Sequence, residues 1–350
     1  MKKVIALIAC IAMVAVMFAG CASSSNQQGG ESASTQAAAS SGQTESKTTQ
    51  TGDQTTEKKK YRVAYIARAQ ADSFAAWLAN EMKAEAEKYD DISLEIFDGE
   101  ANDDKENTMI ENAIANKFDG IIVQANNNEA QKPYIEKIVA AGIKCITTNP
   151  RVEGIKGASS IDANPYDQGA VNARAAVSQV PQNAKVVVLL GPAGNYHSTA
   201  RREAWQKEFF DKRPDVKILA EDIANWNKDE AMAKMEDWVI AFGDIDAIIS
   251  MNDNMCAGAL EVVSGKDEYK DILAYGVDGT AEACLLIQEG KMTSTALQSA
   301  IDLAQLNMKA MHQLLTGEET EIHQDIPAPL ITKDNVDEYV KMYKERGLIK

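Results

Sequence analysis

The sequence has no excess of positive charge. Its 36 Lys and Arg residues are outnumbered by 52 Asp and Glu residues, which gives a net charge of -16. Phosphate backbones and anionic lipid head groups repel such a chain. The charge therefore excludes nucleic acid as an expected partner, and it excludes a membrane surface held by charge alone.

Cysteines are few and scattered. The five are Cys10, Cys21, Cys145, Cys256 and Cys284, and no two of them form a CxxC pair. This spacing excludes a cysteine metal cluster and a disulfide scaffold. The last three lie in apolar or helical surroundings, so we expect buried, inert thiols there.

Enzyme motifs are also absent. The chain has no GxSxG, HExxH or P-loop, and no GxGxxG follows a strand. Asp72 and Asp278 leave a glycosidase as a rival hypothesis, because that chemistry needs only two carboxylates beside a sugar. The sequence otherwise predicts a protein that is not an enzyme and that holds no cofactor and no metal.

One acidic cluster invites a metal interpretation. Its members are Asp98, Glu100, Asp103, Asp104 and Glu106. They lack the D-x-D-x-D-G order of a calcium loop, and the segment from Asn102 to Asp104 is typical of a helix start. We therefore expect a solvated loop and helix start at this place.

Residues 1–21 are typical of a signal peptide. Met1-Lys2-Lys3 is basic, and the apolar run from Val4 to Phe18 is about fifteen residues, shorter than the roughly 20 of a membrane span. Phe18-Ala19-Gly20-Cys21 resembles the bacterial lipobox, which implies that Cys21 is acylated after cleavage. An ordinary signal peptide cut near Ala22 and a short anchor helix are the alternatives.

The composition of residues 22–60 predicts a tether. From Ala22 to Glu57 the chain contains no Leu, Ile, Val, Phe, Trp or Tyr. Such a segment cannot offset its ordering entropy by burial, so we expect it to be disordered. The folded part then begins near Tyr61 and faces the outside of the cell.

From Tyr61 onward, short runs rich in Val, Ile and Leu alternate with amphipathic segments. The expected strands are 62–67, 93–97, 120–123, 144–148, 185–190, 217–220, 247–251 and 273–277. This alternation is typical of an α/β fold with helices on both faces of parallel sheets. It breaks once, near 159–165, where we expect a crossover between two similar Rossmann-like lobes.

Polar and aromatic side chains follow these strands, at the edge where parallel sheets bind ligands. Carboxylate, amide and guanidinium groups match vicinal hydroxyls, and an aromatic face covers the apolar face of a sugar ring. The candidate ligand-binding residues are Arg68, Asp72, Phe74, Asn149, His197, Arg201, Trp226, Asn252, Asp278 and Gln298.

Seven segments resemble, in order and spacing, the type I periplasmic sugar-binding proteins of ABC transporters, among them the galactose/glucose- and ribose-binding proteins. They are Asp72-Ser73-Phe74, residues 146–149, 191–194 with Ala200-Arg201, 224–227, 251–255 with 258–260, 275–279 and 295–298. The resemblance implies a three-strand hinge. It joins an N-terminal lobe of 61–162 plus 298–324 to a C-terminal lobe of 163–297 plus 325–350.

The resemblance also implies what the candidates do. Phe74 and Trp226 would sandwich a sugar ring. Six polar residues would hydrogen-bond its hydroxyls: Asp72, Asn149, Arg201, Asn252, Asp278 and Gln298. The expected protein is a monomeric, lipid-anchored binding protein on a cell surface of Gram-positive type. It would capture a hexose or pentose and pass it to the permease of an ABC importer.

Two questions stay open at this point. Arg68 and His197 depart from the galactose/glucose pattern and, with Arg201, would also suit a uronate, unless a carboxylate such as Asp253 pairs with Arg68 or His197. The same lobes would also serve a ligand sensor that presents a sugar, sugar acid or cyclitol to a chemoreceptor or sensor kinase.

Overall fold

A computed structural model describes residues 60–350. The predicted signal peptide, Cys21 and the predicted tether up to residue 59 lie outside the described residues. Within residues 60–350, no helix combines the length and the apolar character that a membrane span requires.

The described chain forms two six-stranded sheets. The first has the order β11-β5-β4-β3-β1-β2 and the second the order β12-β10-β9-β8-β6-β7. The first sheet contains β1 (Tyr61–Ala67), β2 (Ile92–Asp98), β3 (Gly120–Val123), β4 (Lys144–Thr147), β5 (Ala158–Ala163) and β11 (His323–Ile326). The second contains β6 (Lys185–Leu190), β7 (Lys217–Ile223), β8 (Ala247–Ser250), β9 (Leu273–Asp278), β10 (Ser294–Leu297) and β12 (Leu330–Thr332). Only β12 runs antiparallel to its neighbour within these sheets.

Ten α-helices cover these sheets in the described part. They are α1 (Ser73–Ala86), α2 (Asp103–Ala115), α3 (Asn128–Ala140), α4 (Pro165–Gln179), α5 (Tyr196–Trp205), α6 (Lys228–Phe242), α7 (Asp253–Val263), α8 (Ala281–Gln288), α9 (Ala300–Thr316) and α10 (Val336–Glu345). Because both faces of each sheet are covered, the central strands are inaccessible to solvent: all four residues of β3 and of β8 are buried.

The helices that follow the strands begin at side-chain caps. In each helix from α1 to α9, the preceding polar residue accepts a hydrogen bond from a backbone amide of the first turn. The caps are Asp72, Asn102, Asn127, Asn164, Asn195, Asn227, Asn252, Thr280 and Ser299. These caps set where each helix starts and bring polar side chains to the carboxyl ends of the strands.

The predicted fold class is confirmed, and one local expectation is corrected. The segment at 159–165 is not merely a break in the pattern, because β5 occupies Ala158–Ala163 and pairs in parallel with β4 and β11. Its sequence, ASSIDA, lacks the branched apolar run that marks the other strands. Three late strands, β10, β11 and β12, were likewise not predicted, since they are only three or four residues long.

The chain crosses between the two sheets three times. The crossings follow β5, β10 and β11, and α9 returns to pack against α1 and the first sheet. We call the first sheet with its helices the first lobe and the second sheet with its helices the second lobe. The residue bounds predicted for the lobes stay a prediction; β5 and β11 end at Ala163 and Ile326, one and two residues beyond them.

Candidate functional site

The carboxyl ends of the two sheets line a cavity between the lobes. Its walls are Arg68, Phe74, Asn149 and Pro150 from the first lobe, and Asn195, His197, Arg201, Trp226, Asn252, Asp278 and Gln298 from the second. The structure thus brings nine of the ten sequence-predicted residues to one cavity. Asp72 lies beside it, as the cap of α1.

Two lining residues were missing from the predicted set, Asn195 and Pro150. Asn195 follows the Gly191-Pro192-Ala193-Gly194 turn after β6, so its position after a strand is the signal that could have found it. Pro150 follows Asn149 and carries no polar side chain, so nothing in a search for hydrogen-bonding groups would select it.

Arg201 is the centre of a hydrogen-bond network in the second lobe. Its guanidinium donates to Gln168 Oε1 at 2.9 Å, Met251 O at 2.7 Å, Gln298 Oε1 at 3.1 Å and His197 Nδ1 at 3.3 Å. Gln168 and Gln298 are also bonded to each other, at 2.8 Å. Arg201 is buried, and these partners fix the planar guanidinium in one orientation.

His197 links the two lobes. Its Nε2 lies 3.0 and 3.1 Å from the carboxylate oxygens of Asp162 in β5. Because Arg201 can only donate, Nδ1 must accept, and the ring proton of the neutral imidazole sits on Nε2. Burial lowers the pKa of His197, which Asp162 opposes and Arg201 and Arg151 reinforce. Both ring nitrogens are therefore engaged by protein groups.

Arg68 pairs within the first lobe. Its Nη2 lies 3.1 Å from Asp72 Oδ1, and both side chains are buried. The same oxygen accepts from the backbone amide of Ala75 as the cap of α1. Asp253, considered above as a partner of Arg68 or His197, is instead bonded to Thr280 and Thr295. Arg68 and His197 thus pair with the carboxylates of Asp72 and Asp162 rather than with that of Asp253.

The chain matches a known protein family over most of its length. The family described as Periplasmic binding protein domain matches residues 63–319, most of the described chain. The chain belongs to the periplasmic binding protein family. The resemblance to the type I sugar-binding members that the sequence indicated is confirmed.

Curated relatives of this binding protein are named for small polyhydroxylated solutes. It is 27% identical over 248 residues, 70% of each chain, to the xylitol-binding protein of Mycolicibacterium smegmatis. It is 23% identical to the ribose import binding protein of Bacillus subtilis, covering 78% of this chain and 87% of that one.

Solved structures share its fold. An ABC transporter solute binding protein from Bacillus halodurans with bound myo-inositol matches with a TM-score of 0.77 and 23% identity, covering 83% of this chain and 100% of that chain. The Caulobacter myo-inositol binding protein matches with a TM-score of 0.74 and 24% identity, covering 80% and 97%.

Two polar atoms of the binding protein's first lobe are buried without a hydrogen-bond partner at or beside the cavity. They are Asp72 Oδ2, an acceptor, and Asn149 Nδ2, a donor. Asn149 Oδ1 is already used, because it accepts from Gln124 Nε2 at 2.9 Å. A buried polar atom without a partner is unfavourable, so a ligand that bonds to these two atoms would be stabilised.

The cavity's aromatic side chains come from opposite lobes, Phe74 from α1 and Trp226 from the segment after β7. A Cβ atom at Gly191 would lie 2.2 Å from the Trp226 ring, so only glycine allows the indole this position. The backbone of Trp226 has a φ of 60°, and those of Asn149 and Asp278 have 44° and 126°. Strained backbone of this kind clusters at ligand sites.

Asp278 is the buried carboxyl of the second lobe's wall. Burial raises its pKa well above the ordinary value, Arg201 opposes this, and the charges of Asp253 and Asp72 add to it. Asp278 Oδ1 accepts from Gln298 Nε2 at 3.2 Å. Thr280, not Asp278, caps α8, so the carboxyl of Asp278 is not used as a helix cap.

The acidic cluster of the sequence has no ligand-binding arrangement. In residues 60–350, no group of three or more His, Cys, Asp or Glu side chains is placed to hold a metal ion. Asp103 and Glu106 instead accept hydrogen bonds from Asn126. Burial raises the pKa of Glu106 well above its ordinary value. Cys145, Cys256 and Cys284 are free and buried, as expected.

Proposed function

We propose that this binding protein captures a neutral monosaccharide, or a polyol or cyclitol of similar size, in the cavity between its lobes and delivers it to an ABC importer. The relatives named for xylitol and ribose support this ligand class.

The contacts that both arginines already make with protein groups support a neutral ligand. Arg68 is paired with Asp72, and the guanidinium of Arg201 bonds to four protein groups. A ligand carboxylate would compete with Asp72 for the guanidinium of Arg68 and with four protein acceptors for that of Arg201. It would also lie near Asp72 and Asp278, and the like charge would raise the pKa of Asp278 further. This argues against the uronate that the sequence alone left open.

Ligand capture would use both walls of the cavity. Hydroxyl groups would donate to Asp72 Oδ2 and accept from Asn149 Nδ2 in the first lobe, while Asp278, Asn252 and Gln298 would contact the ring from the second. Contacts to both lobes stabilise the closed arrangement, in which the carboxyl ends of the sheets meet. A permease that recognises this arrangement would receive only the loaded protein.

A thermal-shift panel tests the proposal. The full-length protein is screened against ribose, galactose, xylitol, myo-inositol, glucuronate and galacturonate. We expect stabilisation by at least one neutral compound, since a ligand at a hundred times its dissociation constant adds about 2.7 kcal/mol. Stabilisation by uronates alone would contradict the neutral ligand. No stabilisation by any compound would contradict the sugar-binding proposal itself.

Trp226 provides an independent readout. Its ring borders the cavity, whereas Trp77, Trp205 and Trp238 do not. A bound ring should change the tryptophan fluorescence, and Trp226→Phe should remove most of that change while Trp238→Phe retains it. A response that survives in Trp226→Phe would place the ligand elsewhere.

Lipid anchoring is part of the same proposal and is supported by the lipobox alone. Cys21 lies in the sequence Phe18-Ala19-Gly20-Cys21. We expect the wild-type protein in the membrane fraction and Cys21→Ser in the soluble or medium fraction. Cys10→Ser is the matched control, because Cys10 lies within the predicted signal peptide. Membrane retention of Cys21→Ser would contradict acylation at this residue.

A further inference from the structure

Two short segments face each other across the cleft. Residues 126–128 lie at the start of α3 in the first lobe, and residues 194–196 lie at the start of α5 in the second. Three hydrogen bonds join them: Asn128 N to Gly194 O at 3.3 Å, Asn195 Nδ2 to Asn126 O at 3.0 Å, and Tyr196 N to Asn128 Oδ1 at 3.2 Å. We call the two segments the rim latch.

We propose that the rim latch holds the two lobes together by direct protein contacts and so sets the affinity of the cleft. Among its six residues, only Asn195 borders the cavity. Asn126, Asn128 and Tyr196 are therefore positioning residues, which act on ligand binding by stabilising the closed arrangement.

The first-lobe half of the latch is rigidly held. Asn126 N donates to Glu106 Oε2 at 3.1 Å, and Asn126 Nδ2 donates to Asp103 Oδ1 at 2.7 Å. Asn127 donates to Asp103 Oδ2 at 3.2 Å, and its own Oδ1 accepts from two amides at the start of α3. The acidic residues that begin α2 thus position the segment that reaches across the cleft.

The second-lobe half depends on glycine. Gly194 has a φ of 78°, and a Cβ atom there would lie 2.7 Å from Asn127 Oδ1 in the opposite lobe. Asn127 cannot easily move aside, because its side chain caps α3 and bonds to Asp103. Asn195 uses both ends of its amide, since Oδ1 caps α5 through Ser198 N while Nδ2 crosses to Asn126.

The latch has a thermodynamic consequence for the site. When only the closed arrangement binds fully, the apparent dissociation constant rises by the factor by which the closed fraction falls. Weakening the latch should therefore weaken binding without removing a ligand contact. This consequence depends on the proposed sugar-binding function, whereas the latch itself depends only on the fold.

Hydrogen exchange of the full-length protein tests the latch without any ligand. Gly194→Ala is compared with Gly265→Ala, whose φ of 75° is similar but whose Cβ would meet nothing within 4 Å. The control carries the same backbone strain. We expect Gly194→Ala to accelerate exchange about three- to tenfold in the first-lobe peptide over residues 126–130, while Gly265→Ala leaves that peptide unchanged.

The exchange rate of residues 126–130, in the lobe opposite Gly194, decides the result. Equal exchange of residues 126–130 in wild type, Gly194→Ala and Gly265→Ala would overturn the proposal, even if the thermal-shift panel had found a ligand. A second variant guards against misfolding. Asn128→Ala removes the acceptor of Tyr196 N and should speed exchange over residues 194–198 in the other lobe, and Asn128→Asp, which keeps that oxygen, should restore protection.

Discussion

The two walls of the cleft differ in how completely their polar groups are used. In residues 60–350, the buried side-chain atoms without a hydrogen-bond partner are Asp72 Oδ2, Glu106 Oε1, Asn126 Oδ1, Asn149 Nδ2, Arg151 Nε and Asn307 Oδ1. All six lie in the first lobe, either in its helices or in the loops that follow its strands. The second lobe's cleft residues bond largely to one another.

This difference suggests a division of labour. The second-lobe wall is preorganised, because Gln168, Arg201 and Gln298 fix each other in place before any ligand arrives. The first-lobe wall keeps free hydrogen-bonding capacity at Asp72 and Asn149. We therefore expect substitutions in the second wall to act on stability and binding together, and substitutions in the first wall to act mainly on binding.

The largest effect is expected for Arg201→Ala. Removing the guanidinium leaves Gln168 Oε1 and Met251 O buried without their donor and takes away the cation beside Asp278, so the free energy of unfolding should fall by about 3 to 5 kcal/mol. Urea unfolding monitored by circular dichroism measures this change. Ligand binding should be lost as well, because Gln298 and Asp278 lose the group that orients them.

Arg202→Ala is the matched control for that measurement. Arg202 is the next residue of α5, and it pairs near the surface with Glu221 at 2.7 Å. A partly exposed pair of this kind contributes up to about 1 kcal/mol. Equal losses in the two variants would contradict a preorganised second wall.

Asn149→Ala is the corresponding test of the first wall. We expect affinity for the compound found in the panel to fall about tenfold, because Nδ2 is a buried donor reserved for the ligand. The free energy of unfolding should fall by only about 1 to 2 kcal/mol, from the lost bond to Gln124 and from alanine at a φ of 44°. Calorimetric titration and urea unfolding measure the two quantities.

The loss of unfolding free energy that comes from alanine at a positive φ has its own control. Asn183 has a φ of 59° on an exposed turn outside the cleft, so Asn183→Ala shows the conformational penalty alone. A ligand affinity that falls as much in Asn183→Ala as in Asn149→Ala would remove the distinction between the two walls.

The positions of the cleft residues could be predicted from the sequence, whereas their bonding could not. Strand ends are visible as apolar runs followed by polar residues, and in a parallel sheet they share one edge, so Asn149, Trp226 and Asp278 were found. Partner choice depends on contacts between residues far apart in the chain. Asp162 lies 35 residues before His197, in a strand whose ASSIDA sequence hides its type.

The rim latch was invisible for the same reason. Asn126, Asn127 and Asn128 are an unremarkable polar run in the sequence, typical of a helix cap. Only the facing lobe shows that Asn128 has a second role, and only the closed geometry shows why residue 194 is glycine. Local patterns predict elements and edges, but contacts between lobes need the fold.

The smallest expected effect concerns the titratable pair where the two walls meet. Burial lowers the pKa of His197 in the folded protein, so the unfolded chain binds a proton first as the pH falls. The stabilising contribution is complete above the unfolded value of about 6.5 and is lost as the pH falls toward the folded pKa. One such group contributes at most about 1.4 kcal/mol per pH unit.

Urea unfolding at pH 7.5 and 5.5 checks this sign. Asp162, Arg201 and Arg151 are the charged groups that act on the His197 ring, and the first two contact it directly. His197→Gln keeps a donor for Asp162 but cannot titrate, so it should flatten the difference between the two pH values. A difference that persists undiminished in His197→Gln would show that other groups set the pH dependence, and that His197 joins the two walls without sensing protons.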